Sequence, residues 1–160
     1  MQSGFYYIIK DEFFQRFSAS GSTFKYNKGN SRPTFCCFED HIYPGIFWAI
    51  PTGTVDGKNI TRIKQYMEYD EKDIRRCFYH IGYTNRKAIF YISSAFPVTE
   101  NYILREYTTN GVPLEMKRQN LKQEIQKKLL KILTYENNNP NVLEPRITDI
   151  KNSLLQDLMY

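Results

Sequence analysis

The chain has 160 residues, with 22 Lys and Arg against 17 Asp and Glu, for a formal charge of +5 at neutral pH and a pI of about 9.0. Its 41% hydrophobic and 16% aromatic content is enough to bury one ordinary core, which excludes a disordered tail and makes residues 1–160 a single domain by expectation. No stretch approaches the roughly 20 apolar residues of a spanning helix, and Met1-Gln2-Ser3-Gly4 lacks the basic start and apolar run of a secretory signal. A cytoplasmic location and no membrane partner are therefore expected.

Phe5 to Ile9 reads as a strand, and Asp11 to Phe17 as a short helix whose opening acids suit its positive end. From Ser18 to Pro33 the composition turns to Ser, Gly, Asn and Lys, a loop of a length uncommon in compact domains unless it is functional or disordered. Thr34 to Phe38 and Ile42 to Pro51 read as strands, the second interrupted by Pro44-Gly45, with Thr52-Gly53-Thr54 following as a turn. Ile60, Ile63 and Met67 place a helix over Asn59 to Tyr69. Arg76 to Tyr83 and Lys87 to Ser93 flank Thr84-Asn85-Arg86 as a hairpin, Phe96-Pro97-Val98 ends that strand, Thr99 opens a helical turn through Tyr102, and Leu104 to Tyr107 adds a strand.

The last third carries two amphipathic stripes. Leu121, Ile125, Leu129, Ile132 and Leu133 place a helix over Glu115 to Thr134, and Ile147, Ile150, Leu154, Leu155 and Leu158 place a second beyond the Asn137 to Asn141 connector. The expected class is α+β, with mostly antiparallel strands and two C-terminal helices. Cys36, Cys37 and Cys77 are odd in number and two are adjacent, which fits reduced, buried thiols better than a disulfide framework. With only His41 and His80 and no CxxC or HExxH spacing, neither a metal site nor a cofactor is expected.

Four places carry residues with chemical potential. Between Phe13 and Phe38 lie Arg16, Lys25, Lys28 and Arg32 and not one acid, with Tyr26 and Asn27 among them. Cations with an interleaved ring suit a phosphate backbone and a stacking base, although the same composition also makes a merely solvated loop. In Pro51-Thr52-Gly53-Thr54, followed by Lys58, two hydroxyls flank a glycine whose amides can approach an anion, but threonines equally bond local backbone. The Gly-Lys-Ser/Thr of a P-loop is absent, which excludes that mode of nucleotide hydrolysis. His41 and His80 could serve as base and acid or could simply be a surface and a packed ring. From Lys117 to Lys131 there are six cations, including Arg118 and Lys122, against Glu124 alone, either a solvated helix face or an RNA groove.

Phe5-Tyr6-Tyr7-Ile8 with Asp11-Glu12-Phe13-Phe14, then Asn27-Lys28-Gly29-Asn30-Ser31-Arg32-Pro33, then Gly45-Ile46-Phe47-Trp48-Ala49-Ile50-Pro51-Thr52, then Phe96-Pro97-Val98-Thr99 resemble, in order and spacing, the CptN branch of the ToxN/AbiQ endoribonuclease toxins of type III toxin–antitoxin systems. The resemblance spans most of the chain. It implies a strongly twisted antiparallel sheet or partial barrel similar to the Kid and MazF toxins, in a bacterial cytoplasm. It also implies metal-independent RNA cleavage to 2′,3′-cyclic phosphate and 5′-hydroxyl ends, acting on cellular RNA and on a repeated antitoxin RNA. The folded pseudoknot product of that RNA inhibits such toxins, typically in a closed toxin–RNA assembly. By the same resemblance Arg32 and Lys28 supply cations or a proton shuttle, Thr52 and Thr54 hold the scissile phosphate, and Ser93 and Ser94 lie close by. The ToxN branch has Ser directly after the threonine and Lys shortly beyond; here those positions read Gly53 and Val55, with Thr54 and Lys58 as the nearby substitutes. The alternative is an RNA-binding module without cleavage, supported by the basic residues and aromatics alone.

Overall fold

The computed structural model describes residues 1–20 and 31–160. The described elements run in chain order as strand β1 (Tyr6–Ile9), helix α1 (Asp11–Arg16), strands β2 (Thr34–Glu39) and β3 (Phe47–Thr54), helix α2 (Ile60–Met67) and strands β4 (Tyr79–Tyr83) and β5 (Lys87–Tyr91). Then come β6 (Phe96–Val98), β7 (Ile103–Glu106), the short pair β8 (Thr108–Thr109) and β9 (Val112–Pro113), and helices α3 (Gln119–Asn138) and α4 (Ile147–Met159). Seven strands form one antiparallel sheet in the order β4-β5-β3-β2-β1-β7, with β6 on the same edge of β3 as β5. The class is α+β with an antiparallel sheet, as expected, and the sheet is not closed into a barrel: β4 and β7 lie at opposite ends of the strand order.

Strands β1, β2 and β3 are buried on both faces, which explains why they read as continuous apolar runs rather than alternating ones. Successive side chains of a strand point to opposite faces. Tyr6, Phe35, Cys37, Trp48, Ile50 and Phe90 therefore meet Ile125, Leu129 and Ile132 of α3, whereas Tyr7, Ile9, Cys36, Phe47, Ala49 and Phe96 meet α1 and Ile150 and Leu154 of α4. Adjacent Cys36 and Cys37 thus enter different cores, and Cys37 is the extra residue of a bulge against β3. All three cysteines are free and buried, and burial pushes the Cys36 thiol up to about 12, which makes it a packing residue rather than a nucleophile.

Three elements depart from the sequence reading. Thr52-Gly53-Thr54 is not a turn: β5 pairs with it residue for residue, Thr52 with Phe90, Gly53 with Ile89 and Thr54 with Ala88, and holds it extended. Helix α3 starts four residues later than expected because Met116 donates its N–H to the Gly4 carbonyl and Glu115 bridges Phe5, which keeps that segment extended. It also ends later, taking in Asn137 and Asn138. The β8–β9 hairpin was not anticipated; its strands are too short for a period to show, although Asn110 and Gly111 at its tip both take the positive φ that a two-residue hairpin demands. No described helix is long and apolar enough to cross a membrane.

The α1 side of the core is an aromatic cluster centred on Phe13. Its ring is fully buried and lies 5.0 Å from Phe17, 4.9 Å from Phe96 and 5.4 Å edge-on from Tyr102, centroid to centroid. Phe13→Ala would leave a cavity among these rings, and urea unfolding should show a loss of about 3–5 kcal/mol. A loss below about 1 kcal/mol would mean that α1 does not hold this face.

Candidate functional site

The site begins just before β2, at the end of the cation-bearing segment 18–33. Arg32 donates from Nη1 to the Thr52 carbonyl at 2.8 Å, and the Thr52 hydroxyl donates to the Pro33 carbonyl at 2.6 Å. Two reciprocal bonds thus fasten Arg32 and Pro33 to β3. Thr52 is 4% exposed and faces α3 with its cross-strand partner Phe90, so its hydroxyl proton is committed to the backbone. The residue serves here as a fastener.

The opposite face of the same strands carries what the sequence reading missed. From Phe90 to Phe96 the chain takes six steps while β3, from Thr52 to Ala49, takes three. The surplus folds into a 3-10 turn at Ile92–Ser94, and the Ser93 N–H leaves the β3 ladder to donate to the Phe78 carbonyl at 3.0 Å. Tyr91, the last residue before this excursion, lies across Gly53: a Cβ at Gly53 would sit 2.8 Å from Tyr91 Cε2 and 2.9 Å from its hydroxyl. Glycine at that position is what admits the ring. Ser94 is buried and Ser93 half-buried behind it.

Tyr91 stands between two guanidinium groups. Arg32 is half-buried close to it, and burial pushes the Arg32 pKa down from its ordinary value without bringing it near neutrality. On the other side the Tyr79 ring meets Tyr91 edge-on at 6.1 Å, and Arg62, in the first turn of α2, donates to the Tyr79 hydroxyl at 3.1 Å. Burial pushes the Tyr91 phenol up, outweighing the downward pull of Arg32. It therefore holds its proton at neutral pH, as a donor and not a base.

Of the other sequence candidates, Thr54 and Lys58 are exposed on the way from β3 to α2, where Asp56 accepts the Lys58 and Asn59 N–H groups and shapes the turn. Arg118 precedes α3 and lines an open groove of about 670 Å³ against the outer strand β4, with His80, Tyr83 and Asn120. Lys117 is exposed next to it. Lys122 turns away from that groove, with its ammonium against the backbone of Gly4. Tyr26, Asn27 and Lys28 fall outside the described residues. An Arg–Tyr–Tyr–Arg cluster left no trace in the sequence because its members come from the residues just before β2 and from β5, β4 and α2; a sharper signal would have been Gly53 itself, a lone glycine inside a strand.

The histidines do not pair. His80 lies opposite Phe90, two strands from Thr52, whereas His41 follows the far end of β2, a separation on the order of 20 Å by strand spacing and rise. Burial, with Lys128 beside it, pushes the His80 imidazole down to about 4. A folded value below the unfolded value of about 6.5 means that the unfolded chain binds the extra proton, so stability holds above that pH and falls as pH drops towards 4.

Urea unfolding between pH 7 and pH 5 should therefore show a loss on the order of 2 kcal/mol that His80→Leu abolishes; an unchanged slope in the variant would refute the assignment. Thr52→Val keeps shape and β propensity but strips the Pro33 carbonyl of its donor, and thermal unfolding should register a loss of about 1–2 kcal/mol. No model of a known protein family matches the chain, and no curated protein matches it, so the chemistry of the site follows from its own residues.

Proposed function

We propose that the chain is a metal-independent endoribonuclease, the toxin component of a type III toxin–antitoxin pair, held inactive by a folded pseudoknot RNA that it has itself cut from a repeated precursor. Its sheet would then be a relative of the Kid and MazF sheet, and its setting the bacterial cytoplasm. The observation that carries the reading is the Arg32–Tyr91 pair: a fixed, half-buried cation beside a phenol that keeps its proton, at the end of a segment, residues 18–33, with three cations and no acid.

Transesterification at an RNA phosphate needs three services. A base takes the 2′-hydroxyl proton as the 2′-oxygen bonds to phosphorus, donors stabilise the extra negative charge, and an acid protonates the departing 5′-oxygen. Arg32 supplies the charge stabilisation, and its bond to the Thr52 carbonyl fixes the guanidinium in advance. Tyr91 supplies the proton to the leaving oxygen. Lys28, which lies outside the described residues, remains the choice for the base. Thr54 and Lys58 steady the phosphate from the end of β3, Tyr26 and Asn27 meet the bases, and Arg118 with Lys117 carries the strand past the β4–α3 groove. In this assignment Thr52 works through Arg32 and the loop exit, so it positions the site rather than touching phosphate.

RNA-free protein incubated with single-stranded RNA in chelator should yield fragments ending in 2′,3′-cyclic phosphate and 5′-hydroxyl, identified by mass. Arg32→Ala and Tyr91→Phe should each slow cleavage by about 100-fold, while binding of the uncut RNA falls far less for Tyr91→Phe than for Arg32→Ala. Unchanged cleavage in both variants would overturn the site. Intact RNA after long incubation with the parent protein would leave an RNA-binding module.

A further inference from the structure

At the end of the β2–β3 hairpin remote from Arg32, a second cleft of about 270 Å³ lies between the hairpin tip, the later turns of α3 and the start of α4. Its floor is Glu136, 3% exposed. One carboxylate oxygen, Oε1, accepts the Asn141 N–H at 2.7 Å and the Thr148 hydroxyl at 2.9 Å; the other, Oε2, is buried with no hydrogen-bond partner among the described residues. A buried acceptor without a protein donor is costly, and a donor from a bound molecule would satisfy it. Nearby Asp40 differs: it already accepts from Trp48 Nε1 at 2.9 Å and from the Ile42 and Tyr43 N–H groups.

The remaining walls suit a flat ring. His41 lies parallel to Phe38, at 5° and 6.1 Å between centroids, and is exposed on the rim. Lys151 also lines the cleft, with its ammonium 5.2 Å from the Tyr43 ring centre. A shallow depression carrying Lys127 and Lys131 shares Leu130 and Thr134 with the cleft, so cations stand at its mouth where phosphates would lie.

We infer that this cleft is a base-binding site whose occupant is guanine, with Glu136 Oε2 accepting from N1–H or the 2-amino group, Lys151 donating to O6 or N7, and the ring against Phe38 and His41. The carboxylate can only accept, and it therefore selects guanine over adenine and cytosine. Guanine sets two donors side by side on its pairing edge. Adenine and cytosine set a ring-nitrogen acceptor next to the amino group, and that lone pair would face the carboxylate. The guanine can belong to a free nucleotide or to an RNA strand. The second source rests on the function proposed above, with the cleft about 20 Å along β2 from Arg32.

Trp48 lines the cleft and is the only tryptophan in the chain, so its fluorescence reports occupancy directly. Titration of the full-length protein with GMP should give a saturable change, with AMP binding about tenfold more weakly. Glu136→Gln replaces Oε2 by a donor and should weaken GMP by about tenfold. His41→Ala, at an exposed position, should weaken it by a similar factor through lost stacking, with the unfolding midpoint unchanged. A short RNA with one unpaired guanine binding more tightly than GMP, and losing that advantage when the guanine is replaced by adenine, would support the strand as the source. GMP binding without any RNA preference would support the free nucleotide. No saturable change with GMP or RNA, or Glu136→Gln binding like the parent, would overturn the site. Because cleavage is read separately, guanine binding without cleavage would strike the endoribonuclease reading and leave this site standing.

Discussion

Strand β3 is paired along both edges, and the chain on one of those edges is three residues too long for it. That mismatch organises the face of the sheet that carries Tyr91. A ladder cannot absorb three extra residues in place, so they leave it as the 3-10 turn at Ile92–Ser94. The residue before the excursion, Tyr91, is thereby turned across Gly53 into the company of Arg32, Tyr79 and Arg62. On the other edge β2 keeps register apart from the Cys37 bulge, and the two residues just before it are fastened to Thr52 by the Arg32 and Thr52 bonds.

Burial on both faces supplies the electrostatic contrast on which the proposed chemistry depends. Desolvation holds the Tyr91 phenol and the cysteine thiols in their protonated forms and the His80 imidazole in its neutral form. Arg32, by contrast, stays charged through half-burial because guanidinium is too strong a base to yield. A neutral donor beside a permanent cation is an arrangement that favours a developing anion over a resting one. The same low-dielectric interior makes the unpartnered Glu136 oxygen conspicuous at the other end of β2 and β3.

The elements with long, strong periodicity were legible: the stripes of α3 and α4, the aromatic runs of β1 to β3 and the β4–β5 hairpin all have counterparts close to where the residues place them. Boundaries were less legible where a tertiary partner decided them. Glu115 and Met116 carry helix-compatible side chains, yet Phe5 and Gly4 claim their backbone for a bridge. Thr52-Gly53-Thr54 has turn composition, yet β5 draws it into a ladder. Of the candidate site, Arg32 and Thr52 were legible as a cation and a hydroxyl near a loop, but not as partners of each other. Tyr91, one of thirteen tyrosines, was not legible at all.

The sequence by itself determined the class of the fold, the two C-terminal helices, the reduced thiols and the concentration of positive charge before β2, because composition and periodicity act locally and need no partner to be read. It also carried the resemblance from which an RNA-cutting function is proposed. Only the tertiary structure decided that the Thr52 hydroxyl faces the backbone of Pro33, that the two histidines stand apart, that Tyr91 rests on Gly53 and that one oxygen of Glu136 is buried without a donor among the described residues. Each of these depends on register and on contacts between residues tens of positions apart. Strand pairing sets such relations, and no local pattern encodes them.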